Sequence, residues 1–322
     1  MTTAVRSILG LTMVAVLASC DPFGLPATRA LENGAESMLR SAGSYEIAGD
    51  YIAGGKRWTI DLQLESPDRR HLKVRSATDE VEAIIIGPDA YFRGKAFLAA
   101  HLGSDAQAQN LARVAGNAWW KDSAGLVPSL PSLTEGPAFR SNFLGPAVSS
   151  RTDHQSVHGV DAVELSGARA DVYIASAPPY RLLRVHLRDG VVVDGISDAD
   201  LEFRNVDRTF GITAPRDVID FGNLSTLPPL YTAVSVDTSA CSTTCIVSAR
   251  LKNLGGTTAA SAPSIVTFTM TDPTTRQVIG TCETVIQPDV GYNSTTTASC
   301  TIGGKTVNAA ILTATVTNPG RG

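Results

Sequence analysis

Nucleophiles, general acids and metal ligands are sparse in this 322-residue chain, and their spacing excludes most chemistry. Five histidines are present: His71, His101, His154, His158 and His186. His154 and His158 have the i, i+4 spacing that puts two ligands on one helix face. The Ser, Val and Gly around them read instead as the start of a strand. On a strand the two imidazoles would lie about 13 Å apart, too far for one metal ion. No His-Glu-x-x-His, Gly-x-Ser-x-Gly or phosphate-loop motif occurs. Asp79-Glu80 and the pair Asp198 and Asp200 sit in turns and read as solvated. Arg69-Arg70 and the pair Arg181 and Arg184 would face anionic headgroups or simply keep a strand face wet. Nothing nominates a nucleophile, so an enzyme is not expected, nor a metal or cofactor.

The cysteines say more. Cys20 stands alone, while Cys241, Cys245, Cys282 and Cys300 crowd into the last quarter of the chain. Cys241 and Cys245 have the close spacing of a zinc pair, but Cys282 and Cys300 lie far apart. The choice between zinc and disulfides turns on the compartment, and the first twenty residues bear on that. Arg6 and the amino terminus supply positive charge, and Ile8–Leu17 supplies an apolar run about half the length a bilayer-spanning helix needs. Leu17-Ala18-Ser19-Cys20 then resembles the lipobox of a bacterial lipoprotein signal peptide. The resemblance implies loss of residues 1–19, a diacylglycerol thioether on Cys20, and residence on the extracytoplasmic face of the cell membrane. At about 0.8 kcal/mol per buried methylene, two or three acyl chains make that attachment effectively permanent. Export favours oxidised thiols, so the other four cysteines are expected as two disulfides. Three connectivities are open, and Cys241–Cys245 with Cys282–Cys300 is favoured.

With 43% hydrophobic and 18% charged residues the composition is that of a globular protein, long enough for two cores. The net charge of -4, without a basic stripe, gives no support to nucleic-acid binding.

The elements that must position any site follow from periodicity. Residues 20–27, with two prolines and a glycine, read as a tether. Leu31, Ala35, Met38, Leu39 and Ala42 form one apolar stripe, predicting a helix over Thr28–Ala42 with Thr28 as its N-cap and Gly43 as its stop. The period then changes to two. Trp58–Glu65 alternates without a break and pairs with Tyr45–Ile52 through Gly54-Gly55. His71–Arg75, Val81–Ile86 and Ala90–Arg93 continue an antiparallel meander. Ala96–Ala115 reads as helical with an interruption at Gly103, and Asn117–Lys121 as a short strand carrying two tryptophans. Ser123–Pro146, with its prolines and glycines among apolar residues, reads as one or two short helices in a loop that covers a functional site. Strands resume over Gly159–Ser166, Asp171–Ala175, Tyr180–Leu187, Val191–Ser197 and Asp200–Asn205. Residues 221–230 read as a linker. From 231 to 322 Ser, Thr, Val and Ala dominate in short runs, the pattern of a small β-sandwich. Asn253-Leu254-Gly255-Gly256 resembles the Lys-Asn-x-Gly turn of bacterial immunoglobulin-like modules.

Several of these stretches carry a wider likeness. They are Gly87-Pro88-Asp89-Ala90-Tyr91-Phe92-Arg93-Gly94, Asn117–Lys121, Gly159–Leu165, Val172–Ala175 with Tyr180–Val185, and Leu201–Val206. Their order resembles actinobacterial lipoproteins of the LprG/LppX type, within the LolA- and LolB-like superfamily, over roughly residues 28–220. The resemblance implies an α+β fold: a curved antiparallel half-barrel sheet wrapping helices, followed here by the small all-β sandwich. It also implies an apolar cavity holding a lipid or glycolipid for transfer or presentation. The alternative is a non-enzymatic envelope sensor or scaffold that binds another protein through the half-barrel and the sandwich. Apolar strand positions that would line the cavity are Trp58, Ile60, Leu62, Leu64, Val74, Ile84, Ile86, Tyr91 and Trp119. Each of them would serve equally well as plain core.

Overall fold

The computed structural model describes residues 25–65, 68–126, 130–241, 244–258, 260–303 and 310–321, except the side chains of 238–241. The expected signal peptide and Cys20 lie outside the described residues. In chain order the first elements are α1 (Thr28–Ser41), β1 (Ser44–Ala53), β2 (Lys56–Glu65), β3 (Arg69–Arg75), β4 (Glu80–Ile86) and β5 (Asp89–Arg93). Next come α2 (Lys95–Leu102), α3 (Ala106–Ala115), β6 (Trp120–Ser123), α4 (Pro131–Thr134) and α5 (Gly136–Phe139). They are followed by β7 (Ser150–Val157), β8 (Val160–Ser166), β9 (Ala170–Ala175), β10 (Leu182–Leu187), β11 (Val192–Val193) and β12 (Ile196–Arg204). The last six are β13 (Tyr231–Cys241), β14 (Thr244–Asn253), β15 (Ile265–Thr271), β16 (Val278–Val285), β17 (Thr295–Gly303) and β18 (Ile311–Thr317).

The expected α+β class, a half-barrel sheet wrapping helices, is overturned. Among the described residues 18 strands stand against five α-helices, and the ladders between named strands are antiparallel. The cause lies in the helical segments. Pro131, Gly136, Pro137 and Gly145 cut the chain after residue 130 into turns of four or five residues, and Gly103 ends α2 after eight. Such pieces cover patches of a sheet without building a helical layer.

The chain divides into two compact units interleaved in sequence: Met1–Ser41 with Pro131–Val193, and Ala42–Leu130 with Asp194–Gly322. In the first, α1 buries four of the five predicted stripe residues, Leu31, Ala35, Met38 and Leu39, while Ala42 lies just past its end. Gly136 allows α5 to approach it, since a Cβ there would sit 2.5 Å from the Glu36 carbonyl oxygen. Arg140 then ties the turn after α5 to α1, with Nη2 2.7 Å from Glu32 Oε2 and Nη1 3.1 Å from Asn33 Oδ1. Strands β10, β9, β8 and β7 pair in that order. The stretch expected to cover a site is packed here as core, because Leu133, Phe139, Phe143 and Leu144 are all buried.

In the second unit the strand order is β6-β5-β4-β3-β2-β1-β12. Its register carries one unbroken buried row: Phe203, Ile47, Leu62, Leu72, Ala83, Phe92 and Trp120, each directly opposite the next. Burying each large member contributes about 1.5–3 kcal/mol. α2 covers the β5–β6 end of the row, where Phe97 and His101 lie 5.8 and 5.0 Å from the Trp120 ring centre. The outer edge of β6 is closed by Ile219, which accepts from Lys121 N–H and donates to the Trp119 carbonyl, both at 2.8 Å.

The last six strands form two three-stranded sheets, β13-β14-β17 and β16-β15-β18, around one core that includes Val247, Leu251, Val266, Phe268 and Met270. The Cys282–Cys300 disulfide joins β16 to β17, one strand from each sheet. Buried Asn253 uses its whole amide: Oδ1 accepts from Leu230 and Gly255 N–H, and Nδ2 donates to the Gly256 and Val290 carbonyls. Gly255 has no room for a side chain, since a Cβ would overlap the Pro228 carbonyl. The Asn-Leu-Gly-Gly turn is therefore the socket for the 227–230 segment, whose Leu227 and Leu230 are buried.

The same unit is closed by a crossing of two tight backbones. Arg321 N–H donates to the Val114 carbonyl at 2.9 Å, and Arg113 Nη1 to the Asn318 carbonyl at 2.6 Å. Gly116 and Gly320 lie at this crossing, both with positive φ, and a Cβ on either would meet the opposing backbone. The last turn of α3 and the Asn318–Arg321 segment are thus locked together.

Candidate functional site

The nine apolar residues proposed as cavity lining divide between two sheet faces. Ile60 pairs with Val74, and alternation along β2 adds Trp58, Leu62 and Leu64 to the same face. Ile84 pairs with His71 and Tyr91, and with Ile86 these belong to the other face. Trp119 precedes Trp120 and lies under the Arg93 guanidinium, 4.8 Å from its ring centre. Of the nine, Ile60 and Leu62 are buried, Leu62 in the core row and Ile60 two residues before it on the same face; the other seven are half-buried. Sequence reading missed Phe92 and Trp120, two of the three aromatic side chains of that row. The parity of Tyr91-Phe92 and Trp119-Trp120 was the available signal for which of each pair faces the core.

The second face carries the charged chemistry. Asp61, Lys73, Glu82 and Arg93 form one cross-strand row from β2 to β5. Glu82 is only 6% exposed. His71 Nε2 lies 2.7 Å from its Oε1, Lys73 Nζ 3.4 Å from the same oxygen, and Arg93 Nη2 is bonded to Oε2. Burial alone would raise the Glu82 pKa. The hydrogen bonds from His71 and Arg93, and the charges of Arg93 and Lys73, outweigh it and hold the carboxyl below its ordinary value. Asp61 goes the other way: burial, then the charge of Glu46, raises it despite Arg204, Lys73 and His71. Glu46 is itself buried, accepting from Arg204 Nε at 2.6 Å and Asn205 Nδ2 at 2.7 Å.

Beside this network opens a pocket of about 680 Å3, lined by Thr78, Glu80, Glu82, Arg93, Lys95 and Asn117. Gly94 makes the sharp turn from β5 into α2 that forms one wall, at φ 152° and with no space for a Cβ, which would lie 2.6 Å from the Glu80 carbonyl oxygen. A smaller pocket of about 580 Å3, with Glu36 and Arg140 in its lining, lies in the first unit.

The histidines do not assemble a metal centre, and among the described residues no group of three potential ligands occurs. His154 and His158 each adopt a left-handed backbone, at φ 57° and 50°. His101 bonds Asp122 Oδ2 at 2.9 Å while stacking on Trp120. Of the cysteines, Cys282 and Cys300 are joined as favoured from the sequence. Cys245 is disulfide-bonded, and the β13–β14 register sets Cys241 opposite it; the Cys241 side chain lies outside the described residues.

No protein-family model matches the chain, and no curated protein does. Among solved structures it is similar to MucB in complex with MucA(peri), at 10% identity and TM-score 0.30, covering 86% of this chain and 93% of that one. The MucA/MucB complex of Pseudomonas aeruginosa gives 13% identity and TM-score 0.29 over 80% and 93% of the two chains. A DUF1329 family protein from Desulfovibrio piger gives 11% identity and TM-score 0.19 over 57% and 94%. Similarity at this level does not place the chain in a family.

Proposed function

We propose that this chain is a lipid-anchored, non-enzymatic binding protein of the extracytoplasmic membrane face, and that the pocket beside Glu82 receives the polar head of a lipid or glycolipid. The observation that carries this reading is the pocket itself, whose volume of about 680 Å3 is that of a small-molecule site. Its lining includes four charged side chains, which suits a headgroup rather than an acyl chain. The Glu82 network fixes Glu82 and Arg93 before any ligand arrives, so part of the lining needs no ordering on binding. A thioether lipid on Cys20 would keep the pocket within a tether's length of the membrane.

The test is native mass spectrometry of the exported Cys20→Ser protein, followed by exposure to lipids extracted from the producing cells. A polar lipid should copurify or bind, and Asn117→Trp, which fills the pocket from its exposed rim, should lose it. A protein that stays free of lipid in both steps would sink the proposal.

A second reading, a scaffold for another envelope protein, is favoured by the outer face of β16-β15-β18. Val278 and Ile311 flank Thr271 at one end of that face, and Val285 and Ile265 adjoin at the other. Val278, Val285 and Ile311 are all exposed. Crosslinking in cells from Thr313, on the same face, would capture a partner on this reading and none on the first.

A further inference from the structure

The charged groups around the pocket pair off unevenly, and the remainder indicates the charge of the ligand. Glu80 is joined to Arg75 at 3.0 Å, and Glu82 to Lys73 and Arg93. The next acid along the chain, Asp79, is joined to Lys56 at 2.8 Å. Both carboxylates of the lining are therefore matched by cations that point at them. Arg93 is further fixed by Trp119, so its guanidinium is a wall of the pocket rather than a free donor. Lys95 is different: it lines the same pocket, yet among the described residues no carboxylate pairs with it. Asn117, across the lining, likewise has no hydrogen-bond partner among the described residues.

We infer that the pocket takes an anionic group, a phosphate or a carboxylate, with the Lys95 ammonium as its counter-charge and the Asn117 amide as a donor beside it. The inference rests on the pocket being the binding site and adds the charge of what it binds. A neutral sugar would leave Lys95 to water, whereas an anion gains a charge-assisted bond that is stronger than a neutral one. Lys95 and Asn117 are both exposed, so that bond is screened by salt and is strongest at low ionic strength. The same anion is available as a free solute or as a lipid headgroup.

The experiment uses the full-length Cys20→Ser chain at low salt, titrated with inorganic phosphate and with glycerol 3-phosphate. Its flotation is measured on phosphatidylcholine vesicles with and without phosphatidylglycerol. Phosphate binding that weakens about tenfold or more in Lys95→Glu, persists in Lys95→Arg and is unchanged in Lys252→Glu is the expected result. Flotation only with phosphatidylglycerol, lost in Lys95→Glu, assigns the anion to a headgroup; glycerol 3-phosphate binding without flotation assigns it to a solute. Absence of phosphate binding, or equal binding in Lys95→Glu, overturns the inference. If in that case a neutral lipid still copurifies and is lost in Asn117→Trp, the pocket stands as a site and only its charge preference falls.

Discussion

Glu82 and Arg93 stand directly opposite each other on β4 and β5, and an ion pair joins them across the two strands. Removing Arg93 leaves a buried carboxylate with His71 and Lys73 alone. Because the Arg93 side chain is 40% exposed, the cost is set at about 2 kcal/mol, below that of a fully buried pair. Arg93→Met should lower the urea midpoint accordingly, and Arg93→Lys should recover only part of it, since a lysine keeps the charge but loses the planar contact with Trp119.

The acid limb of stability should report Glu82. Its folded pKa lies below the ordinary 4.5, so on acidification the unfolded chain takes up the proton first. The stability it contributes is complete above that value and is lost as the pH falls below it through the folded pKa. Glu82→Gln should flatten the dependence of the urea midpoint on pH in this window. Asp61 has the opposite sign, its folded pKa being raised, so Asp61→Asn should raise the midpoint at neutral pH.

At the alkaline end Tyr45 should dominate. Burial, only partly opposed by the charge of Arg70, raises its hydroxyl pKa far above the ordinary 10. The folded state keeps the proton while the unfolded state releases it near pH 10, so stability is present below that pH and declines above it. Absorbance at the phenolate band should show tyrosine ionising together with unfolding. Tyr45→Phe should weaken that coupling, while Tyr51, Tyr173 and Tyr231, whose pKa values burial also raises, retain part of it.

Asn253 makes four hydrogen bonds from a fully buried amide. Asn253→Ala strands the backbone groups of Leu230, Gly255, Gly256 and Val290 that it bonds and should cost about 2–4 kcal/mol in chemical denaturation. Gly255→Ala should be worse, because the Pro228 carbonyl occupies the place of the new methyl.

Cys282 and Cys300 close a loop with a sequence separation of 18. Paired Cys282→Ser and Cys300→Ser replacement should lower stability by about 3 kcal/mol, and thiol labelling of the unreduced protein should find neither sulfur free.

The local elements were legible wherever one period held. The stripe of α1 and the alternation of Trp58–Glu65 both survive into the structure, because each is dictated by a single buried face. The class of the fold was not, because it depended on how far helical patches extend, and Gly103, Gly136 and Pro137 end them early. The charged site was invisible for a different reason. His71, Glu82 and Arg93 are eleven residues apart at each step, and only the hairpin registers bring them onto one oxygen pair. Lys95 and Asn117 carry no periodic signal. They matter because the Gly94 turn and the end of α3 leave them on the rim of the same pocket.

The crossing of Gly116 with Gly320 bears on how the protein comes into being. A chain synthesised from its amino end presents α3 some two hundred residues before the Asn318–Arg321 segment that locks it. Until Arg321 emerges, the Val114 carbonyl has no protein donor from that segment and the last turn of α3 is unsealed. Sealing of α3 therefore waits on the Asn318–Arg321 segment, and a chain cut before Asn318 should present the last turn of α3 to a protease.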